Sequence, residues 1–158
     1  MENNNIDNNK VNNQNISLEE QLVKLQDKWN DNIKELNEQM KNINSLNELI
    51  NVVYSKRQDA IDLYYGTMKV LSVRTRDYKY KASNIYNVLK SGQAGLRYTN
   101  ESAISNQIES KLISEKETID LLTNFTNYMK ETIQTIDNII YGINNKIKLY
   151  EMINGLKF

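Results

Sequence analysis

No proline occurs anywhere in the 158 residues, and apolar side chains recur at intervals of three and four over two long stretches. Proline is the residue that most reliably breaks a helix, so its absence leaves both stretches free to run as rods. The first stripe passes through Leu18, Leu22, Leu25, Trp29, Ile33, Leu36, Met40, Ile43, Leu46, Leu49 or Ile50, and Val53. The second passes through Ile104, Ile108, Leu112, Ile119, Leu122, Phe125, Met129, Ile133, Ile136, Ile140, Ile143, Ile147, Tyr150 and Ile153. Both average close to the coiled-coil period, in which one stripe faces a partner and polar residues cover the rest.

With 39% hydrophobic residues and one Trp, the chain has too little apolar matter for a large globular core. Helices that share a seam suit it better. The implied fold class is therefore all-α: an elongated antiparallel helical hairpin of two long heptad-like helices joined by a short basic, Tyr-rich insert. A hairpin of two helices leaves part of each stripe uncovered, which predicts a homo-oligomer.

The chain divides accordingly. Residues 1–16 hold eight Asn and no apolar period, the composition of a disordered tail. A single helical domain follows over 17–158. Ser17, with Glu20 three residues on, forms a capping-box pattern that starts a helix over 17–70, with Gly66 as a candidate break. Residues 71–100 form the insert. Within it Arg74–Lys81 alternates weakly, compatible with a short strand, and Ala82–Lys90 suggests a short helix. Ser91-Gly92-Gln93-Ala94-Gly95 reads as a turn. Thr99 or Asn100 can cap the last helix, over 101–155, which Gly155 would stop. Its stripe has a polar gap at Glu115 or Lys116.

Charge is distributed unevenly. Between Tyr54 and Tyr98 lie seven of the ten tyrosines and nine cations (Lys56, Arg57, Lys69, Arg74, Arg76, Lys79, Lys81, Lys90 and Arg97) against three aspartates, a net +6. The rest of this formally neutral chain is therefore −6. Cations release the counterions condensed on a phosphate backbone, and phenol rings stack on exposed bases. The candidate nucleic-acid-binding residues are the cations Lys56, Arg57, Lys69, Arg74, Arg76, Lys79 and Lys81, with Tyr64, Tyr65, Tyr78 and Tyr80 as stacking platforms. A solvated surface whose tyrosines close the end of a hairpin accounts for the same residues.

Enzymatic chemistry finds little footing. The chain has neither Cys nor His, which removes thiol and imidazole metal sites and the commonest general base. Acidic pairs such as Glu115 and Glu117 read as a solvated helix face, and no Gly-rich phosphate loop occurs. A non-enzymatic protein without cofactor, metal or catalytic residue is expected. The lack of a long apolar run or a basic leader predicts a cytoplasmic protein that does not engage a membrane.

The stretch from Ser55 to Gly66, ending Asp62-Leu63-Tyr64-Tyr65-Gly66, resembles the signature of the phage UvsY family of recombination mediators. In that family basic residues lead into an acidic residue, a tyrosine pair and a small-Gly turn. The family's basic residues immediately precede the aspartate, where this chain has Ala60 and Ile61, and here Lys56 and Arg57 stand about one helical turn earlier. Lys28-Trp29 is similar to a Lys-Trp pair in the family's first helix, and Ile147-Lys148 with Gly155 resembles its C-terminal end. The resemblance implies a homo-oligomer that binds single-stranded DNA. It also implies a helper role for a RecA-like recombinase, displacing single-strand binding protein during phage recombination-dependent replication in the host cytoplasm. A structural or scaffolding coiled-coil protein, a virion component or a prefoldin-like chaperone, is the alternative that the seams alone support.

Overall fold

The computed structural model describes residues 16–93, 95 and 98–155. The Asn-rich segment 1–15, Ala94, Leu96, Arg97 and residues 156–158 lie outside them, so the expected disordered tail falls almost wholly beyond the described residues. Helix α1 spans Leu18–Gln39, α2 Leu46–Ser91, α3 Glu101–Lys111 and α4 Ile113–Ile153. A single 3-10 turn, Ile43–Ser45, separates α1 from α2. Among the described residues there is no strand.

The capping box at Ser17 forms as the sequence predicts. The Glu20 N–H donates to Ser17 Oγ at 3.2 Å, and the Ser17 N–H donates to Glu20 Oε2 at 3.1 Å. The predicted helix over 17–70 is corrected at both its break and its end. It breaks at residues 40–45, where Asn42 adopts an extended backbone (φ −91°, ψ 101°) and its side chain accepts the Asn44 N–H at 3.2 Å. An Asn side chain offers the backbone a local bond that competes with helix, which lets this chain turn without Gly or Pro. Gly66 breaks nothing, because it lies on the exposed side of α2, where a Cβ would meet nothing within 4 Å.

Nor do the described residues form a compact insert. Helix α2 runs for 46 residues, about 69 Å, through the strand-compatible segment and on to Ser91. Leu71, Thr75, Tyr78, Ala82, Ile85 and Leu89 explain this, since they are half-buried or buried at helical spacing. Gly92, at φ 79°, ends the helix in the left-handed conformation that glycine adopts without a Cβ penalty. Asn100 then caps α3 by accepting the Ser102 N–H at 2.9 Å. The helix predicted over 101–155 is two, offset at the buried Leu112 (φ −117°, ψ 24°), close to the polar gap in its stripe.

Helix α4 returns antiparallel to α2, bringing Arg57 to Asp137 and Lys81 to Glu115. Helix α1 folds back along the same pair. Its residue Gln26 meets Tyr128, and Met40 meets Gly142. The two helices approach closely there, since a Cβ on Gly142 would sit 3.1 Å from the flexible end of Met40. The molecule is thus a three-helix stem whose base holds the α1–α2 turn and the end of α4. Beyond Leu18 it continues as a two-helix tip built from α2, α3 and the start of α4.

The core joins Leu22, Trp29 and Leu36 of α1, Leu49, Val53 and Ala60 of α2, and Phe125, Met129, Ile136 and Ile143 of α4. Trp29, assigned to packing by its place on the stripe, is buried there. Three buried threonines on α2 and α4 satisfy their hydroxyls within their own helices, as Thr126 Oγ1 does on the Leu122 carbonyl at 2.7 Å. Replacing Phe125 by Ala should cost about 3–5 kcal/mol, because the ring is 1% exposed and the helices around it cannot collapse freely. Urea denaturation followed by circular dichroism measures this, and a loss under about 1 kcal/mol would contradict the packing described.

Candidate nucleic-acid interface

All eleven candidate residues fall on one helix, α2, between Lys56 and Lys81. Tertiary contacts take several of them out of reach of a ligand. The Arg57 guanidinium grips Asp137 across the stem, Nε to Oδ1 at 2.5 Å and NH2 to Oδ2 at 3.4 Å. The hydrogen bond and charge of Asp137 raise the Arg57 pKa above its ordinary value. Lys81 donates to Glu115 at 2.7 Å, and this bond holds the Glu115 carboxyl below its usual value. Arg76 stands 3.8 Å from its neighbour Asp77, with both side chains well exposed. Among the described residues Lys56, Lys69, Arg74 and Lys79 form no ion pair.

The tyrosines also separate. Tyr64 packs half-buried against the core and meets Tyr65 edge-on, with ring centroids 5.2 Å apart. Tyr78 is half-buried, whereas Tyr65 and Tyr80 are 65% and 69% exposed. A strand would have put Tyr78 and Tyr80 on one face; the helix turns them roughly 200° apart.

Helical spacing assembles a smaller set instead. Tyr65, Lys69, Arg76 and Tyr80 follow one another at intervals of four, seven and four, so they form a ridge along the side of α2 turned away from α4. The ridge is about 22 Å long at 1.5 Å per residue. It begins and ends with an exposed phenol and carries two cations between. Lys56 and Arg57 lie off it, roughly 20 Å toward the base from Lys69.

Arg74 belongs to a different feature. Where α1 begins, the third helix stops short and leaves a cleft of about 560 Å³ lined by Leu18, Arg74, Asp77, Tyr78, Tyr80, Lys81, Glu115 and Thr118. Two cations and two carboxylates meet there, so its charge largely cancels. The predicted patch of one sign is therefore divided among a ridge, a mixed cleft that contains the Lys81–Glu115 pair, the Arg57–Asp137 pair, and Lys56 and Lys79, which form no ion pair among the described residues. Sequence reasoning missed Leu18 and Thr118 at the cleft. Their signal is the start of α1 itself, since a third helix that begins late leaves an open step. Among the described residues, no helix is long and apolar enough to cross a membrane.

The Lys81–Glu115 pair creates a pH signature. A carboxylate whose folded pKa is depressed stabilises the fold above its unfolded value, which for a glutamate is 4.5, and that part is lost as pH falls through the folded value. The Glu115→Gln variant should therefore be less stable than the parent at pH 7, with the gap closing by about pH 3. Urea midpoints at the two pH values test it, and an equal gap at both would remove the pair from the account. No protein-family model, curated protein or solved structure matches the chain.

Proposed function

We propose that this chain is a single-stranded DNA-binding accessory protein of recombination and replication, and that the Tyr65–Lys69–Arg76–Tyr80 ridge is its binding surface. The observation that carries the reading is the ridge itself: two exposed phenols flank two exposed cations along about 22 Å of one helix. Rings of this kind stack on any base, at about 1–3 kcal/mol each, so the surface suits a strand of arbitrary sequence. One protomer offers few free cations, and each neutralised phosphate on a single strand adds only about −0.7 to the salt slope. Useful affinity thus requires several protomers acting on one strand, in keeping with the homo-oligomer expected from the sequence. A recombinase of the RecA kind and a single-strand binding protein as partners follow from the family resemblance in the sequence, and the host cytoplasm is the corresponding location.

A specific observation favours the scaffold reading as the second. The base of the stem exposes Ile43, Leu149, Tyr150, Met152 and Ile153, an apolar group suited to assembly rather than to nucleic acid. Nuclease-sensitive absorbance at 260 nm in the purified protein favours DNA binding, whereas a large nucleic-acid-free assembly favours the scaffold.

Fluorescence anisotropy with oligo-dT across a salt series tests the ridge. Replacing Lys69 and Arg76 together by Ala should flatten the log–log salt slope by roughly 1.4, from two lost phosphate contacts. Replacing Tyr65 or Tyr80 by Ala should weaken binding by about 1–3 kcal/mol. The Lys24→Ala control, on exposed α1 surface, should bind as the parent does. No binding at low salt, or parental affinity in the ridge variants, would end the proposal.

A further inference from the structure

We propose that the turn between α1 and α2 is a hinge through which two copies of this chain exchange α1, each laying the helix in the other's α2–α4 groove. The inference shares with the proposed function only its element of self-association, and it does not depend on DNA binding.

The turn has the makings of a hinge. Met40-Lys41-Asn42-Ile43-Asn44-Ser45 contains neither Gly nor Pro, and among the described residues no non-Gly residue has a positive φ. Met40 and Leu46 already have helical backbone, and the departures are the extended Asn42 and Ser45 (φ −110°, ψ 9°). The bonds that close the turn are local: the Asn42 side chain accepts the Asn44 N–H, and the Asn42 carbonyl accepts the Ser45 N–H at 3.4 Å and the Ser45 hydroxyl at 3.3 Å. Apolar residues keep their spacing straight through it, from Leu36 to Met40, Ile43, Leu46 and Ile50. That pattern describes one continuous helix from Leu18 to Ser91, about 110 Å long.

Straightening the turn carries α1 away from its own stem, past the base. A second copy inverted by a twofold axis presents the same groove in the matching direction, because α1 enters it at the base with Gln39 and reaches inward with Leu18. Trp29 and Leu36 then fill the partner's core, and the bonds from Tyr128 to the Gln26 carbonyl and to Asn30 re-form between chains. The local bonds of the turn give way to helical ones, and one bond to α4 is lost, from Lys146 Nζ to the Met40 carbonyl, which then accepts the Asn44 N–H within the longer helix. Exchange keeps nearly every contact that α1 makes and extends the helix through the turn.

The base supplies an independent observation. Ile43, Leu149, Tyr150, Met152 and Ile153 are all exposed at the end of the stem. The twofold that exchanges α1 sets two such bases face to face and covers them. A closed, isologous contact of this kind is the ordinary geometry of a homodimer, and exchange of an identical element is a low-cost route to it.

Lys34 and Thr135 test the exchange, since both are exposed and line the same surface between α1 and α4. The chain has no cysteine of its own, so Lys34→Cys and Thr135→Cys chains can be mixed and treated with a short bis-maleimide. Exchange predicts a 34-to-135 bridge between different chains, identified by peptide mass, which increases with protein concentration. The Asn42→Ala/Ser45→Ala variant, which removes the local bonds and favours helix, should raise its yield several-fold. Insertion of about six Gly/Ser residues after Lys41 should abolish it, because a relaxed turn removes the incentive to exchange. No interchain bridge in either the parent or the Asn42→Ala/Ser45→Ala variant would overturn the proposal, and so would bridges that survive the insertion. Oligo-dT anisotropy on the same proteins keeps the two proposals apart, because a chain that fails to exchange can still bind DNA.

Discussion

One apolar stripe on α4 serves two partners. Phe125, Met129, Ile136, Ile139 and Ile143 face the groove in which α2 lies antiparallel and α1 runs alongside, and the core exists only where all three helices overlap. Fully burying a side chain of this size contributes about 1.5–3 kcal/mol, so a handful of them anchors the stem. The polar contacts fall into line behind that stripe. Arg57 and Lys81 find carboxylates on α4 because the antiparallel register brings them there.

The same register decides the electrostatics of the outer surface. Arg57 and Lys81, beside the α2–α4 seam, meet acids on the opposite helix, whereas cations on the far side of α2 point to solvent. Lys69 and Arg76 belong to the second class, with Tyr65 and Tyr80 on the same side. The net +6 of the segment is thus a poor measure of the field that a ligand meets. What matters is how much charge survives pairing, and on one protomer that is modest.

Much of the architecture was legible in the residues. The proline-free stripes gave the helical class, the capping box gave the start of α1, and Gly92 and Asn100 marked the connection between the long helices. Three features were not legible, each for a physical reason. The turn at 40–45 hides because Asn42 bends the chain through its own side chain while the apolar spacing runs on. The helix through 71–91 hides because aromatic and basic residues on its outer side mimic alternation, although Leu71, Tyr78 and Ile85 keep a seven-residue interval. The division of the basic cluster hides because Asp137 and Glu115 lie 80 and 34 residues from their partners. Which cations stay free depends on pairings between distant segments.

The late start of α1 grades the molecule along its length. In the stem each long helix rests on two others, while past Leu18 the tip has only a double layer, with Leu89, Ile104 and Leu112 as its buried side chains. So few buried neighbours lead one to expect local opening there well short of global unfolding. The ridge lies astride that gradient, with Tyr65 on the firm side and Tyr80 on the soft one. A ligand laid across both would link the two-layered end to the three-layered one and act on the thinner part as a splint.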